Sequence, residues 1–501
     1  ANANEHRAVL EGENHVMRRV EASRVCPWLV RTREGHDIAM AGQHHVRLVT
    51  ALDGQTFGST AWQTDDLRRD IGRTLGRFDE AMIGCDHPAF HRHFHWDLAH
   101  ALDVVDTNLA LVTDDRMRAL IRACAERHRS TVAPALQDFR RSLIHSDAND
   151  YNVLVDPARQ RVTGIIDFGD MVFSHTVNNV AIAMAYATLG ADDPLRAAAA
   201  VLGGYHDAHP LTPDEIAAVF SLMCMRLCVS ACVAAAQQAA RPEAAYLGIS
   251  QGPIGVTLPL LSAIHPRFAH YTFRAACGLD PVPHAPRIVA WLKAHADAIA
   301  PLTGHDLRVA PVAPIDLGVG SPLLSGDPAT NTPAEVDRRV RRVIAEHGAV
   351  LGAGGYDEAR VMYAWDGEPT AGERRTIHIG LDLSLPPGSP LHAPLDGVVH
   401  GVEHADAHHD YGPVVVLRHE TTGDDSSEFF TLYGHLTLDS IASLRIGQRI
   451  AKGHGFARVG SPPDNGDWWP HVHVQVITDM LDVPCNVDGV VRPSQRAVWR
   501  S

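Results

Sequence analysis

The sequence has few basic residues and no long basic tract. Lysine and arginine together number 44 in 501 residues, against 59 aspartates and glutamates, so the formal net charge is −15 at pH 7. This balance gives no electrostatic reason to bind nucleic acid or an anionic membrane surface. We therefore expect small molecules or peptides as partners, and no nucleic acid.

Paired cysteine motifs are also absent. The eight cysteines show no CxxC spacing and no density typical of a disulfide scaffold. Three of them, Cys224, Cys228 and Cys232, recur at helical spacing in an apolar segment, where thiols usually pack as small hydrophobic groups. The cysteine content favours a reducing, cytoplasmic compartment.

No segment is typical of a membrane span or of a secretory signal. The apolar stretch 216–240 carries Arg226 near its middle, which favours a buried helix over a transmembrane one. The residues after Ala1 lack the basic and then apolar layout of a signal peptide. The sequence starts without methionine, and we expect it to be part of a longer protein of undetermined oligomeric state.

The sequence does contain the patterns of two or three domains, because 501 residues exceed one core of ordinary size. Residues 60–300 show mainly helical patterns, broken by short strand-like runs at 152–155 and 162–166. Residues 302–333 are rich in proline, glycine, serine and aspartate, which is typical of a linker.

A helical pattern at 333–347 follows, and the remainder is a series of short β-branched runs separated by turns. The clearest of these runs are 397–402, 414–418, 429–433 and 471–477. We therefore place one mainly helical domain at 1–300, a linker at 301–333, a mainly β domain at 334–491, and a tail or the start of a missing domain at 492–501.

Two motifs in the helical part carry the groups that phosphoryl transfer needs. Residues 145–152 read HSDANDYN, and Asp167-Phe168-Gly169-Asp170 follows the second strand-like run. Asp147 offers a carboxylate for an attacking hydroxyl, while Asn152 and Asp167 offer oxygens to Mg²⁺ on nucleotide phosphates. The alternative, that these residues only cap turns, does not explain the strand-like runs beside them.

These motifs resemble those of the aminoglycoside phosphotransferase and choline kinase superfamily. The resemblance implies a protein-kinase-like α+β fold with a large helical C-lobe over 1–300, with ATP and Mg²⁺ as cofactors. In this sequence it implies the following roles: Asp147 as catalytic base, Asn152 and Asp167 as Mg²⁺ ligands, Glu13 as partner of the nucleotide-binding lysine, and 46–53 as the hinge against adenine.

Three further patterns are similar to the hydroxylysine kinase branch of that superfamily, namely 94–98, 204–206 and 246–250. The similarity implies that the acceptor is the hydroxyl group of a small amine or amino acid. The sequence departs from the family at its start, because the phosphate-covering hairpin and the strand that bears the nucleotide lysine are not in it. We expect an incomplete N-lobe.

A histidine-rich run near residue 90 could be read as a metal site, because alternate residues of a strand share a face. It lacks a partner set of carboxylates or cysteines, and we do not expect it to bind metal. The run consists of His87, His91, His93, His95 and His100.

The mainly β part has a second set of chemical groups. A catalytic zinc site uses three protein ligands of histidine and carboxylate type and leaves one position open. Such groups occur in three separated segments, which contain His378 with Asp382, His435, and His471 with His473. His471 and His473 lie on the same side of a predicted strand, so that both can reach one site.

These segments resemble the M23 family of LytM-type zinc endopeptidases over 334–491, and residues 393–397, 447–448 and 460–470 agree with that family. The resemblance implies a mainly antiparallel β fold in which His378, Asp382 and His473 bind Zn²⁺. It also implies that His435 and His471 assist the attacking water and the oxyanion of a peptide substrate. The alternative from the residues alone is a β-rich domain whose histidines are ordinary polar residues.

We expect one cytoplasmic chain with two enzymatic domains. One alternative is a scaffold that keeps both folds and binds ligands or peptides without reaction, and another is an envelope peptidoglycan endopeptidase with a vestigial kinase domain. The order of the two domains also resembles bacterial fusions in which a class III aminotransferase-like domain follows. Pyridoxal phosphate is expected only if that missing domain exists.

Overall fold

The computed structural model describes residues 7–21, 24–241, 251–364, 373–423 and 426–501. The chain divides into two compact units, Ala1–Leu279 and Asp280–Ser501.

The first unit is mainly helical with a small β portion, as the sequence predicts. The helices are α1 (Arg7–Val20), α2 (Asp65–Ala81), α3 (Ala101–Asn108), α4 (Asp115–Thr131), α5 (Thr176–Ala187), α6 (Pro194–Ala208), α7 (Pro213–Ala240), α8 (Gln251–Ser262) and α9 (Pro266–Ala276). The strands are β1 (Leu29–Val30), β2 (Ala39–Ala41), β3 (His44–Val46), β4 (Leu48–Val49), β5 (Gln55–Thr56), β6 (Arg141–Ile144), β7 (Val153–Asp156), β8 (Arg161–Ile165) and β9 (Val172–His175).

Helix α7 forms the centre of the first unit's core. Among the described residues it is the one helix long and apolar enough to cross a membrane, but 89% of its apolar window is buried inside the protein. Its start is fixed by a capping box, in which the Thr212 side chain and Glu215 satisfy each other's free backbone N–H groups. Cys224, Cys228 and Cys232 are buried on it as free thiols, which confirms the predicted buried helix and the packing role of these cysteines.

The β portion of the first unit positions its motifs. Strand β6 pairs with β9, and β7 pairs with β5 and β8, all antiparallel. Residues 145–152 connect β6 to β7, and residues 166–171 connect β8 to β9. Both loops therefore cross between two small sheets, one formed by β6 and β9 and the other by β5, β7 and β8.

The second unit is built on an eight-stranded sheet in the order β10-β11-β14-β21-β18-β17-β16-β19. All its neighbours are antiparallel except β10 and β11. The helices are α10 (Ala285–Ala294), α11 (Pro333–Glu346), α12 (Leu438–Ala442) and α13 (Arg496–Trp499). The strands are β10 (Val312–Ile315), β11 (Leu351–Gly354), β12 (Glu358–Ala359), β13 (Ile377–His378), β14 (Leu381–Ser384), β15 (Pro390–His392), β16 (Gly397–Ala405), β17 (Gly412–Glu420), β18 (Glu428–Gly434), β19 (Arg449–Ile450), β20 (Gly455–Arg458), β21 (His471–Ile477) and β22 (Val490–Val491).

The segment between the two predicted domains is more ordered than its composition indicates. Part of the predicted linker 301–333 forms β10, whose Ala313 and Ile315 are buried while Pro314 is exposed. A proline is tolerated there because β10 is the edge strand of its sheet. Residues 280–300, which we assigned to the first domain, belong to the second unit, where Trp291 donates a 3.0 Å hydrogen bond to Thr422 Oγ1.

Candidate active sites

In the first unit, the loop 145–152 holds Asp147 by hydrogen bonds from within the loop. Asn152 Nδ2 donates to the Asp147 carbonyl oxygen at 2.9 Å and to Asp147 Oδ2 at 2.7 Å. Asn149 Nδ2 donates to the same Oδ2 at 3.0 Å. The carboxylate is therefore fixed in direction, and its other oxygen, Oδ1, has no partner from this loop.

Asp167 is brought to the same place by the β7–β8 pairing. Val153 lies opposite Ile165, and the Ile166 N–H donates to the Asn152 carbonyl at 3.0 Å. Asp167 and Ser146 both have φ near 65°, a left-handed backbone that non-glycine residues seldom adopt and that is concentrated at functional sites. The structure thus brings together Asp147, Asn152 and the loop of Asp167, as the sequence predicts.

Arg226 is a further member of this site, and the motifs did not predict it. Arg226 lies on α7, and its side chain is 1% exposed. Its Nη2 donates to Asp147 Oδ1 at 2.9 Å, and its Nη1 donates to the Trp96 carbonyl at 3.0 Å. The guanidinium also lies over the Trp96 ring, 4.7 Å from the centroid. The available signal in the sequence was an arginine in an apolar helix, which was interpreted only as evidence against a membrane span.

The pKa values in this site follow from burial and neighbouring charge. Burial raises the pKa of Asp147 to about 6, although Arg226 acts to lower it. Burial and the nearby Asp167 also raise the pKa of Asp170. Burial lowers the pKa of His145 to about 4, so the ring is neutral at pH 7 where it packs edge-on against Phe168, with 5.1 Å between centroids.

The residues fit a nucleotide-bound Mg²⁺. The amide nitrogen of Asn152 donates to Asp147, so the amide oxygen of Asn152 remains available to a hard cation. Asp167 supplies a carboxylate on the loop joined to Asn152 by the backbone hydrogen bond. A carboxylate and an amide oxygen are the donor set that kinases use for magnesium.

Glu13 is buried on α1 and forms an ion pair with Arg47. Arg47 Nη1 also donates to Asn14 Oδ1 at 3.1 Å. Arg47 follows β3 within the predicted hinge 46–53. Arg47 lies after α1, whereas the family resemblance implies a lysine on a strand before α1, so the two do not correspond in position. The lysines of this sequence are Lys293 and Lys452. The pattern at 246–250 lies outside the described residues.

In the second unit, adjacent strands converge on a metal-type cluster. Ligand atoms of His378, Asp382 and His473 lie within 4.8 Å of one another. In the β14–β21 pairing Asp382 lies opposite His473, and a Cβ on Gly380 would approach the His473 ring to 2.2 Å. Gly380, between His378 and Asp382, lacks a side chain and therefore leaves room for the His473 ring.

The hydrogen bonds of the other ring nitrogens fix which atoms face the cluster. His378 Nδ1 donates to the Gly355 carbonyl at 3.0 Å, so its Nε2 keeps a lone pair. His473 Nε2 lies 3.4 Å from Gln475 Oε1, which leaves Nδ1 as the ligand atom, 3.2 Å from Asp382 Oδ1. This donor set, two imidazoles and one carboxylate with oriented partners, fits Zn²⁺.

His435 and His471 lie beside the cluster, with 4.4 Å between their ring centroids. Their Nδ1 atoms donate to the carbonyls of Asn465 at 2.9 Å and Trp469 at 2.7 Å, which leaves both Nε2 atoms as acceptors. All five predicted residues line one cleft of about 670 Å³ that also contains Tyr363 and Trp468. The structure thus brings together every predicted residue of this site.

Burial keeps His378, His435 and His471 neutral. It lowers the pKa of His378 to about 4 and also lowers the pKa values of His435 and His471. Burial acts to raise the pKa of Asp382, but the Arg360 cation that is hydrogen-bonded to it helps to hold that pKa well below its usual range. His378 and Asp382 are therefore deprotonated at neutral pH, as metal binding requires.

Across the described residues, this is the one group of three or more histidine, cysteine or acidic side chains close enough to hold a metal ion. The histidine-rich run near residue 90 forms no such group. His91, for example, pairs with Asp86 at 2.6 Å and stacks on Phe173.

Comparison with known protein families agrees with both sites. Residues 1–217 match the phosphotransferase enzyme family, and residues 376–484 match peptidase family M23. The chain joins a phosphotransferase-family domain to an M23-family domain. Its fold is accordingly a kinase-like α+β unit followed by an M23 unit with a large, mainly antiparallel sheet.

Two curated relatives are hydroxylysine kinases. The mouse protein (Mus musculus) is 29% identical over 242 residues, which cover 44% of this chain and 63% of the relative. The bovine protein (Bos taurus) is 31% identical over 192 residues, which cover 36% of this chain and 50% of the relative. The chain thus spans less than two thirds of the length of either.

A solved structure of a zinc-containing peptidase from Vibrio cholerae is 28% identical, with a TM-score of 0.17 over 22% of this chain and 30% of that one.

Proposed function

We propose that the first unit transfers the terminal phosphoryl group of ATP to the hydroxyl of a small amine or amino acid. The observation that carries this proposal is the fixed Asp147 carboxylate, hydrogen-bonded to Asn152 and joined through it to the loop of Asp167. The two hydroxylysine kinases support hydroxylysine or a similar hydroxylated amine as the acceptor.

In this reaction Asp147 orients the acceptor hydroxyl and accepts its proton, since one of its oxygens is directed by the amides of Asn149 and Asn152. Arg226 binds the other oxygen and keeps the carboxylate in one orientation. Asn152 and Asp167 would hold Mg²⁺, which neutralises phosphate charge when nucleotide is bound.

Phosphorus NMR of ATP turnover tests this proposal directly. The chain is offered hydroxylysine, ethanolamine, choline and an aminoglycoside in turn, beside an Asp147→Asn variant. We expect a new phosphomonoester with one acceptor class and a loss of several orders of magnitude in the variant, with nucleotide binding retained. The exposed Asp103→Asn is the matched control. Equal turnover by the Asp147 variant would remove Asp147 from the role of base.

We propose that the second unit is a zinc hydrolase that acts on peptides. Its support is the ligand cluster of His378, Asp382 and His473 with two further neutral imidazoles on the same cleft. Bound zinc would acidify a water molecule and polarise the scissile carbonyl. His435 and His471, whose Nε2 atoms are free to accept, would take the proton of the water and later donate one to the oxyanion or leaving group.

Zinc analysis and peptide cleavage separate this proposal from a binding scaffold. We expect His378→Ala to lose both stoichiometric zinc and cleavage, and His435→Ala to keep zinc but lose cleavage. His404→Ala, at an exposed position of β16, should change neither. A chain that holds zinc and binds peptides but cleaves none would support the scaffold instead.

We propose a cytoplasmic location for the chain. All eight cysteines are free, and a phosphotransferase needs ATP. Export of the chain to the cell envelope, measured by fractionation, would contradict this proposal and favour a cell-wall endopeptidase.

A further inference from the structure

Arg360 is a buried cation beside the metal-type cluster of the second unit. It follows β12, and its side chain is 0% exposed. Taking a guanidinium out of water costs several kcal/mol unless its donors are satisfied by well-placed partners. A buried arginine at this position therefore has specific partners.

Its hydrogen bonds converge on the cluster. Nη1 donates to Asp382 Oδ2 at 2.6 Å and to Tyr363 Oη at 3.0 Å. Nε donates to Glu358 Oε2 at 2.6 Å, and the Leu317 N–H binds the other oxygen of that carboxylate at 3.1 Å. Glu358 thus anchors Arg360 from one side while Asp382 is bound on the other.

The two oxygens of Asp382 have separate partners as a result. Oδ2 is occupied by Arg360, whereas Oδ1 lies 3.2 Å from both His378 Nε2 and His473 Nδ1. A carboxylate can bind a metal ion through one oxygen or through both. With Oδ2 held by a charge-assisted hydrogen bond, Oδ1 alone faces the position between the imidazoles.

Arg360 also reaches the opposite ligand. The Gly355 carbonyl accepts from Arg360 Nη2 at 3.4 Å and from His378 Nδ1 at 3.0 Å. One carbonyl therefore links the guanidinium to the ring whose Nε2 faces the cluster. Two of the three ligand side chains are oriented through contacts that include Arg360.

We propose that Arg360 is a positioning residue that makes Asp382 a single-oxygen zinc ligand and is required for tight zinc binding. This inference rests on the zinc site proposed above. Arg360 does not bind the metal, and its positive charge by itself disfavours a nearby Zn²⁺. Its contribution is geometric, and a lysine cannot supply it because an ammonium lacks the planar pair of donors that binds Asp382 and Glu358 together.

Zinc affinity, measured by competition with a chromogenic chelator, tests the proposal without reference to enzymatic activity. We expect Arg360→Gln and Arg360→Lys each to raise the zinc dissociation constant by about 10- to 100-fold. If Arg360 acted only through its positive charge, the Arg360→Gln variant would bind zinc more tightly. The Arg360→Lys variant would then have the same zinc dissociation constant as the unaltered chain. Arg418→Gln, an exposed change on β17, is the matched control and should leave the constant unchanged.

Cobalt substitution gives the second measurement. We expect the visible spectrum of the Co²⁺-loaded chain to shift in both Arg360 variants, because Asp382 becomes free to bind through two oxygens and the coordination number rises. If the Arg360 variants do not fold, Glu358→Gln, which loosens the anchor but leaves the Asp382 contact, should still raise the zinc dissociation constant.

These outcomes distinguish a failure of the proposed zinc hydrolase from a failure of the positioning role proposed for Arg360. An unaltered chain that binds no zinc overturns the proposed hydrolase. An unaltered chain that binds zinc, with dissociation constants and Co²⁺ spectra unchanged in the Arg360 and Glu358 variants, overturns the positioning role alone.

Discussion

The ion pair of Arg226 with Asp147 is the most buried charge contact of the first unit's site, with side chains 1% and 16% exposed. Removing one partner of such a pair leaves the other charge without compensation, whereas removing both relieves the cost. The residue that orients the proposed base is therefore also one on which the unit's stability depends.

At the residue scale we predict that Arg226→Met lowers the free energy of unfolding by roughly 3–5 kcal/mol. The double variant Arg226→Met with Asp147→Asn should recover a large part of that loss, because no uncompensated carboxylate remains. Urea unfolding followed by circular dichroism measures both. Arg129→Met, which breaks an exposed pair with Asp106, is the control and should change little. A double variant no more stable than the single one would contradict the prediction.

Short motifs made the ligand and base residues predictable, but not the side chains that hold them. Asp147, Asn152 and Asp167 stand close together in sequence, and the spacing of His471 and His473 already indicates a shared face. Arg226 and Arg360 reach the same sites from distant segments that carry no motif. A lone arginine in an apolar helix or after a short strand has many explanations until the fold shows its partner.

The contact between α2 and α6 depends on two glycines. A Cβ on Gly72 would lie 1.8 Å from the Val201 carbonyl oxygen, and one on Gly204 would lie 1.9 Å from the Arg69 carbonyl oxygen. In both cases the obstacle is backbone, which cannot rotate away. The two helices can approach this closely only because both residues lack a side chain.

At the element scale we predict that Gly72→Ala pushes α2 and α6 apart and lowers the free energy of unfolding by about 1–3 kcal/mol. Gly255→Ala is the matched control, because a Cβ in that part of α8 meets no atom of the described residues within 4 Å. It should instead stabilise the helix, by up to about 1 kcal/mol. Thermal unfolding of the two variants gives the comparison, and equal changes of the same sign would contradict the prediction.

Elements with a clear apolar periodicity could be predicted from the sequence, whereas elements that depend on pairing with a distant strand could not. The run 471–477 and the helix beginning at Pro333 occur as predicted. The alternation in the run indicated a strand but not its buried face, because His473 and Gln475 are buried whereas Val476 is exposed. Strand β10 was missed because its proline reads as a linker signal, and only its place at the sheet edge makes that proline acceptable.

For the whole molecule, the two proposed ligand sites belong to different units of one chain. A ligand that binds only the folded state stabilises by about 2.7 kcal/mol at a concentration 100 times its dissociation constant. Calorimetric unfolding should therefore show separate responses to zinc and to magnesium nucleotide.

We predict that His378→Ala abolishes the thermal shift caused by zinc and leaves the shift caused by magnesium nucleotide, while Asp167→Ala does the reverse. Differential scanning calorimetry of the full chain, with each ligand alone and then both, makes the measurement. Loss of both shifts in either single variant would show that the sites are not separate.

The pairing of Glu13 with Arg47 has a practical consequence for chemical labelling. Acyl-phosphate nucleotide probes mark a kinase by acylating a lysine beside the bound phosphates, and the lysines of this chain, Lys293 and Lys452, both lie in the second unit. Within these 501 residues such probes find no lysine in the first unit, even if that unit binds nucleotide. Dicarbonyl reagents, which modify guanidinium groups, would report nucleotide protection there instead, with Arg47 as the residue to follow by mass spectrometry.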